Sequence, residues 1–312
     1  MTICCTSSLL GVLVVFCAEL FCIPIVITLM WLLQDGDKAK KHQEWLHPCI
    51  VYLIHYSVVA TSAFVAHDLV IGGNDTHDCV QDDSIEYQYY RRHQVICAIG
   101  TGIYAILQLS CRLWQASSHR TSILYEGTWL CNTTLVIGSL AFWYRRPVIA
   151  AAFCVTVGID QLLWYVDLLC WFLSGRFAVG VAKYLTWPST TWWTRLTCTH
   201  HLWTLPLFLG YAAAPLPYHA MLLSGLIMTV HVLLSRVLTP FHVQDKYLNV
   251  NLSHELWKDI SIEGLQISKD NPPAHVYLVR LLLRWQGFNV VVYAVLTLMQ
   301  RLLMDDGHPQ LC

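Results

Sequence analysis

The chain has 312 residues, 56% of them hydrophobic and only 12% charged, with a mean hydropathy of +0.49 and a formal net charge of −1. Soluble domains carry roughly 25% charged residues, so this composition excludes a water-facing globular surface. The near-neutral charge and the lack of any Gly-rich phosphate loop exclude a nucleic-acid or nucleotide binder of the usual kinds.

The apolar residues lie in long blocks, and a helix needs about 20 of them to cross the hydrocarbon core. Eight such blocks follow one another, which predicts an all-α, polytopic transmembrane helix bundle forming one domain over residues 1–312. Residues 9–33 lack a positive leading segment and are long for a signal peptide, so they are expected to stay as the first span, carrying Glu19. The second block, 48–71, holds His55, with His67 and Asp68 toward its end; 95–114 is the third. Block four, 123–143, opens near Glu126, and block five, 148–173, carries Asp160 and Asp167 two helical turns apart on one face. Residues 200–214 open on His200-His201, 219–237 contain His231, and 276–303 close the series.

The connecting segments differ in kind. Ala214-Pro215-Leu216-Pro217-Tyr218 predicts a tight turn between the sixth and seventh spans. Residues 175–199 bear Trp187, Trp192 and Trp193, which suit the headgroup zone. Residues 239–275 mix charge with Leu256, Ile260, Ile262 and Leu265, as expected of an interfacial amphipathic helix or of a cytosolic cap over the bundle.

Lys and Arg mark the cytoplasmic side. With both termini outside, fourteen of the nineteen basic residues fall on inner segments, so the N- and C-termini are expected on the outer, lumenal side. The sequon Asn74-Asp75-Thr76 then lies in an outer loop and predicts a glycoprotein modified at Asn74.

Ionisable groups within a bilayer are costly and point to function. Asp167, His200, His201 and His231 are all expected in the inner half of the membrane, with Glu126 at a similar level and Asp160 nearer the middle. A desolvated carboxylate beside an imidazole suits general acid–base chemistry. Three histidines and one aspartate also offer donors for zinc, but no CxxC pair supports it and no metal is assigned. The thirteen cysteines sit mostly inside apolar blocks, where they are expected to act as small hydrophobes.

Tyr165-Val166-Asp167-Leu168-Leu169, followed by His200-His201-Leu202-Trp203-Thr204 and Tyr211, resembles the TLC-domain family, which includes ceramide synthases and translocation-associated membrane proteins. The likeness covers about a quarter of the chain, residues 159–242. The acidic residues that catalytic members carry on the next helix have no counterpart in 220–237. The His pair is also similar to that of fatty-acid elongases, without their fuller His-x-x-His-His box.

The TLC resemblance implies lipid metabolism by acyl transfer at the cytosolic leaflet of the endoplasmic reticulum or another endomembrane, with acyl-CoA as co-substrate. His200 or His201 would be the base and Asp167 its orienting partner; His231 completes the catalytic set. Tyr165, Thr204, Tyr211 and Asp160 would line the lipid or substrate site. Two other classes remain open from the residues alone: a non-catalytic lipid-binding or scaffold protein, and a proton-coupled transporter using Asp160 and Glu19.

Overall fold

The computed structural model describes residues 47–71, 85–116, 120–212, 215–243, 246–256 and 272–304. The first expected span with Glu19, the sequon at Asn74 and residues 257–271 of the amphipathic segment lie outside them. The described chain runs α1 (Pro48–Ile71), α2 (Ile85–Gln115), α3 (Arg120–Glu126), α4 (Leu130–Trp143), α5 (Pro147–Ser174), α6 (Trp192–Thr197), α7 (His200–Tyr211), α8 (Tyr218–Leu238) and α9 (Ala274–Met304). A two-residue ladder pairs His242–Val243 with Lys246–Tyr247 between α8 and α9.

Helices α1, α2, α5, α8 and α9 are long and apolar enough to cross a bilayer. Their burial pattern is inverted relative to a soluble protein. Leu53, Ile96, Ile106, Phe172, Leu283 and Leu302 face outward, while His55, Gln161, Asp167, His200, Thr229 and His231 are buried. Lipid accepts the first set, and helix–helix hydrogen bonding accommodates the second. This is the build of an all-α membrane protein.

Helices α5 and α8 form the centre, and α1, α4, α7 and α9 pack around them. Close approach depends on small residues. A Cβ at Gly138 of α4 would collide with the Phe208 ring of α7, and one at Gly158 of α5 with Val292 of α9. Helix α5 stops at Gly175, whose φ of 70° is the left-handed cap that glycine adopts without strain.

Two expected spans are shorter than hydrocarbon length. The block at 123–143 is not one helix: it breaks at Gly127-Thr128-Trp129, leaving α4 with 14 residues. Helix α7 has 12. At 1.5 Å per residue these reach about 21 and 18 Å. Pro206 sits inside α7, so the Leu202 carbonyl one turn earlier gets no backbone N–H. Tyr165 Oη donates to that carbonyl at 3.2 Å, so the vacancy is filled from α5.

Helix ends sort onto two levels. At one, Asp68 pairs with Arg146 at 3.3 Å, and Arg91 donates to the carbonyls of Phe142 and Trp143. At the other lie Arg112, Glu126, Thr197 and the 246–256 segment. The latter plugs into the bundle: Val250, Leu252 and Leu256 are buried in the core. This part of 239–275 packs against the helices.

Candidate functional site

The residues expected to converge do not all do so. Asp167 is fully buried, but its carboxylate faces the loop after α5. It accepts from the backbone N–H groups of Val179 at 2.7 Å, Gly180 at 2.9 and 3.1 Å, and Ala182 at 3.0 Å. Three backbone donors from one loop hold both oxygens. His231 also departs. Its Nε2 donates to the Thr128 carbonyl at 3.0 Å, and its ring meets His55 edge-on at 4.4 Å. Asp167 is a loop anchor, and His231 belongs to a separate histidine pair between α1 and α8.

A different set meets around His200 and His201. Cys131 Sγ and one ring nitrogen of each histidine lie within 4.8 Å of one another. Cys131 is the second residue of α4, where the aligned peptide dipoles leave partial positive charge at the helix start. His200 Nδ1 is 2.7 Å from the Thr197 carbonyl, which only accepts, so the proton is on Nδ1. The Nε2 lone pair is therefore available, buried and without a partner. Tyr104 Oη holds the same Thr197 carbonyl at 2.9 Å and fixes the orienting group.

His201 differs from its neighbour. Its Nδ1 takes a hydrogen bond from Gln161 Nε2 at 2.7 Å, which places its proton on Nε2. Trp164 stacks on its ring at 5.4 Å. One histidine thus offers a free lone pair and the other does not.

No family model, curated protein or solved structure matches this chain.

The remaining expected site residues are distributed around this centre. Thr204 Oγ1 caps the His200 carbonyl at 2.7 Å and Tyr165 fills the Pro206 gap, so both support α7. Tyr211 packs its ring against Phe142 at 5.9 Å, away from the histidines. Asp160, partly buried, is within electrostatic reach of Cys131, as is Arg112. Arg112 donates from Nε to Thr197 Oγ1 at 3.1 Å and from Nη2 to Cys198 Sγ at 3.3 Å, with Glu126 3.8 Å from Nη1. In the loop above, burial pushes the Tyr184 phenol well above its ordinary value, keeping it neutral beside Cys198.

A cleft of about 250 Å³ is lined by Tyr52, Tyr56, Gln108, Arg112, Glu126 and Asn132 among apolar neighbours. Tyr52 Oη and Gln108 Oε1 are buried on its wall with no partner. Asn132 follows Cys131 in sequence, and Arg112 reaches from the cleft to the residues preceding His200.

Cys131, Gln161 and Arg112 carry the centre and were not singled out from the sequence. The signal for Cys131 was the polar run Asn132-Thr133-Thr134 within an apolar block, marking that cysteine as different from those amid aliphatic residues. One consequence of the Asp167 placement is testable. Asp167→Ala is expected to release the 175–182 loop and speed tryptic cleavage at Arg176 and Lys183, without changing alkylation of Cys131. A parallel loss of Cys131 reactivity would return Asp167 to the centre.

Proposed function

We propose that the protein is a membrane acyltransferase acting on lipids through a Cys131 nucleophile and a His200 base. The observation that carries this is His200, whose Nε2 is buried without a partner, whose tautomer is set by the Thr197 carbonyl, and one of whose ring nitrogens lies within 4.8 Å of the Cys131 thiol. A nucleophile, a base and a group orienting that base form the general arrangement for covalent acyl chemistry. Here a backbone carbonyl takes the role that the TLC-like order of residues had assigned to Asp167.

The steps balance as follows. His200 Nε2 removes the Cys131 S–H proton, and the thiolate attacks the carbonyl carbon of an acyl ester or thioester such as acyl-CoA. The C–O or C–S bond to the leaving group breaks, and His200 returns the proton to it. The acceptor lipid's hydroxyl or amine then gives its proton to His200, attacks the S-acyl cysteine and leaves Cys131 as the thiol after the proton returns. The apolar cleft with its Arg112–Glu126 pair suits an amphiphile, taking chain and polar group together. Trp187, Trp192 and Trp193 are exposed on the segment preceding His200 and suit the headgroup zone, which supports a reaction at the cytosolic leaflet of an endomembrane.

The test is to trap the intermediate. The purified protein, incubated with acyl-CoA or phospholipid and quenched in acid, is expected to carry a hydroxylamine-sensitive acyl group on the Cys131 peptide by mass spectrometry. Acylation that persists in Cys131→Ala, or turnover by that variant, would sink the proposal.

A further inference from the structure

The structure assigns to Cys131, His200 and His201 a second capacity: they form a site for a zinc-like divalent ion that shuts the acyl-transfer centre by taking its nucleophile and base as ligands. As inhibition this rests on the acyl-transfer reading; as a metal site it stands on geometry alone.

The donor chemistry is that of zinc, which favours thiolate and imidazole in a tetrahedral set. Three donors lie within 4.8 Å of one another. Zinc bonds of about 2.0–2.3 Å place neighbouring tetrahedral donors roughly 3.5 Å apart, so closure asks for a contraction of about an ångström. The second observation is His200 itself, 1% exposed, with Nε2 unpartnered and Nδ1–H on the Thr197 carbonyl. A ring that donates through one nitrogen to a carbonyl and offers the other is the usual form of a ligating histidine.

His201 needs one adjustment, and the structure contains the part that makes it. Gln161 now donates its amide N–H to His201 Nδ1, while its Oε1 is buried without a partner. A half-turn of that amide presents the oxygen instead. His201 then carries its proton on Nδ1, donates it to Gln161 Oε1 and has a lone pair at Nε2 for the ion. On binding, the Cys131 S–H proton is released to solvent and a sulfur–zinc bond replaces it; no electrons change hands. Water fills the fourth position. Asp160 lies within electrostatic reach of Cys131, and Glu126 lies 3.8 Å from Arg112, so two carboxylates offset the one guanidinium near the incoming charge.

Zinc sulfate titrated into the purified full-length protein in detergent is expected to bind one ion per chain by equilibrium dialysis. It should block iodoacetamide labelling of the Cys131 peptide and stop S-acylation, and a chelator should restore both. Cobalt in its place should give a thiolate-to-metal charge-transfer band that Cys131→Ala abolishes. His201→Gln is expected to weaken zinc protection of Cys131 at least tenfold while leaving the thiol reactive without metal. Labelling of Cys131 unaffected by zinc, or stoichiometric zinc that survives Cys131→Ala, overturns the site. The two readings fail separately. S-acylation insensitive to zinc removes the inference and leaves the acyltransferase. A zinc site in a protein that never forms S-acyl cysteine removes the acyltransferase and keeps the ion. Turnover that requires zinc overturns both inhibition and thiol catalysis.

Discussion

Replacing His200 with alanine is expected to slow acylation of Cys131 by about 10²–10⁴-fold, the range in which a positioned general base contributes. The same change at His201 should cost far less, although the two residues are adjacent and their rings lie 4.2 Å apart. The difference follows from hydrogen bonding. His200 Nε2 has a free lone pair because its Nδ1–H is committed to Thr197, whereas the His201 Nδ1 lone pair is already taken by Gln161. A base must have somewhere to put the proton, and only one ring has. Rates are read as S-acyl formation in a single turnover, with detergent-solubilised yield and helical circular dichroism as controls for folding. If His201→Ala costs as much as His200→Ala or more, the base is misassigned. Gln161→Leu sharpens the comparison: it frees the His201 ring without touching His200, and acylation should persist.

What the sequence made legible was length along the membrane, and what it hid was azimuth. The blocks at 48–71, 148–173, 219–237 and 276–303 correspond to α1, α5, α8 and α9 to within two residues at either end, because hydrocarbon thickness demands a long apolar run wherever a helix crosses it. Which way each side chain points depends on neighbours. Asp167 meets the N–H groups of its own following loop, and His231 meets α1, while Gln161, six residues before Asp167, reaches His201. The break at Gly127-Thr128-Trp129 was invisible for a related reason. Its hydrogen-bond partner is Asn251, 121 residues from Leu130 in sequence, so no local pattern announces it. Cys131 was overlooked with it, because only that break places the cysteine in the first turn of a helix facing His200.

Asn251 is accordingly where the largest stability effect is expected. Its Oδ1 accepts from the Leu130 N–H at 2.8 Å, and its Nδ2 donates to the Thr128 carbonyl at 3.0 Å and to Ser235 Oγ at 2.7 Å. The side chain closes the exposed start of α4 from outside the helix, as a cap residue would from within. Its backbone is strained, with φ of 54°, followed by 55° at Leu252 and preceded two residues earlier by 35° at Asn249, in a region that suits glycine and tolerates asparagine. Asn251→Ala removes all three bonds. Thr128 keeps its contact from His231 Nε2, so the Leu130 N–H is the group left stranded in a dry interior. A buried group orphaned in this way costs about 1–3 kcal/mol, and alanine at a left-handed φ adds about 1–2 kcal/mol. Asn251→Gly loses the same bonds without the backbone penalty. The expected order of apparent Tm in detergent is therefore wild type, then glycine, then alanine, with the two variants separated by the conformational cost alone. Alanine as stable as glycine would mean that the positive φ is not held in the folded protein. Both variants should also slow alkylation of Cys131 relative to a control on the far side of the bundle, because the helix start that carries the thiol then loses its Asn251 contacts.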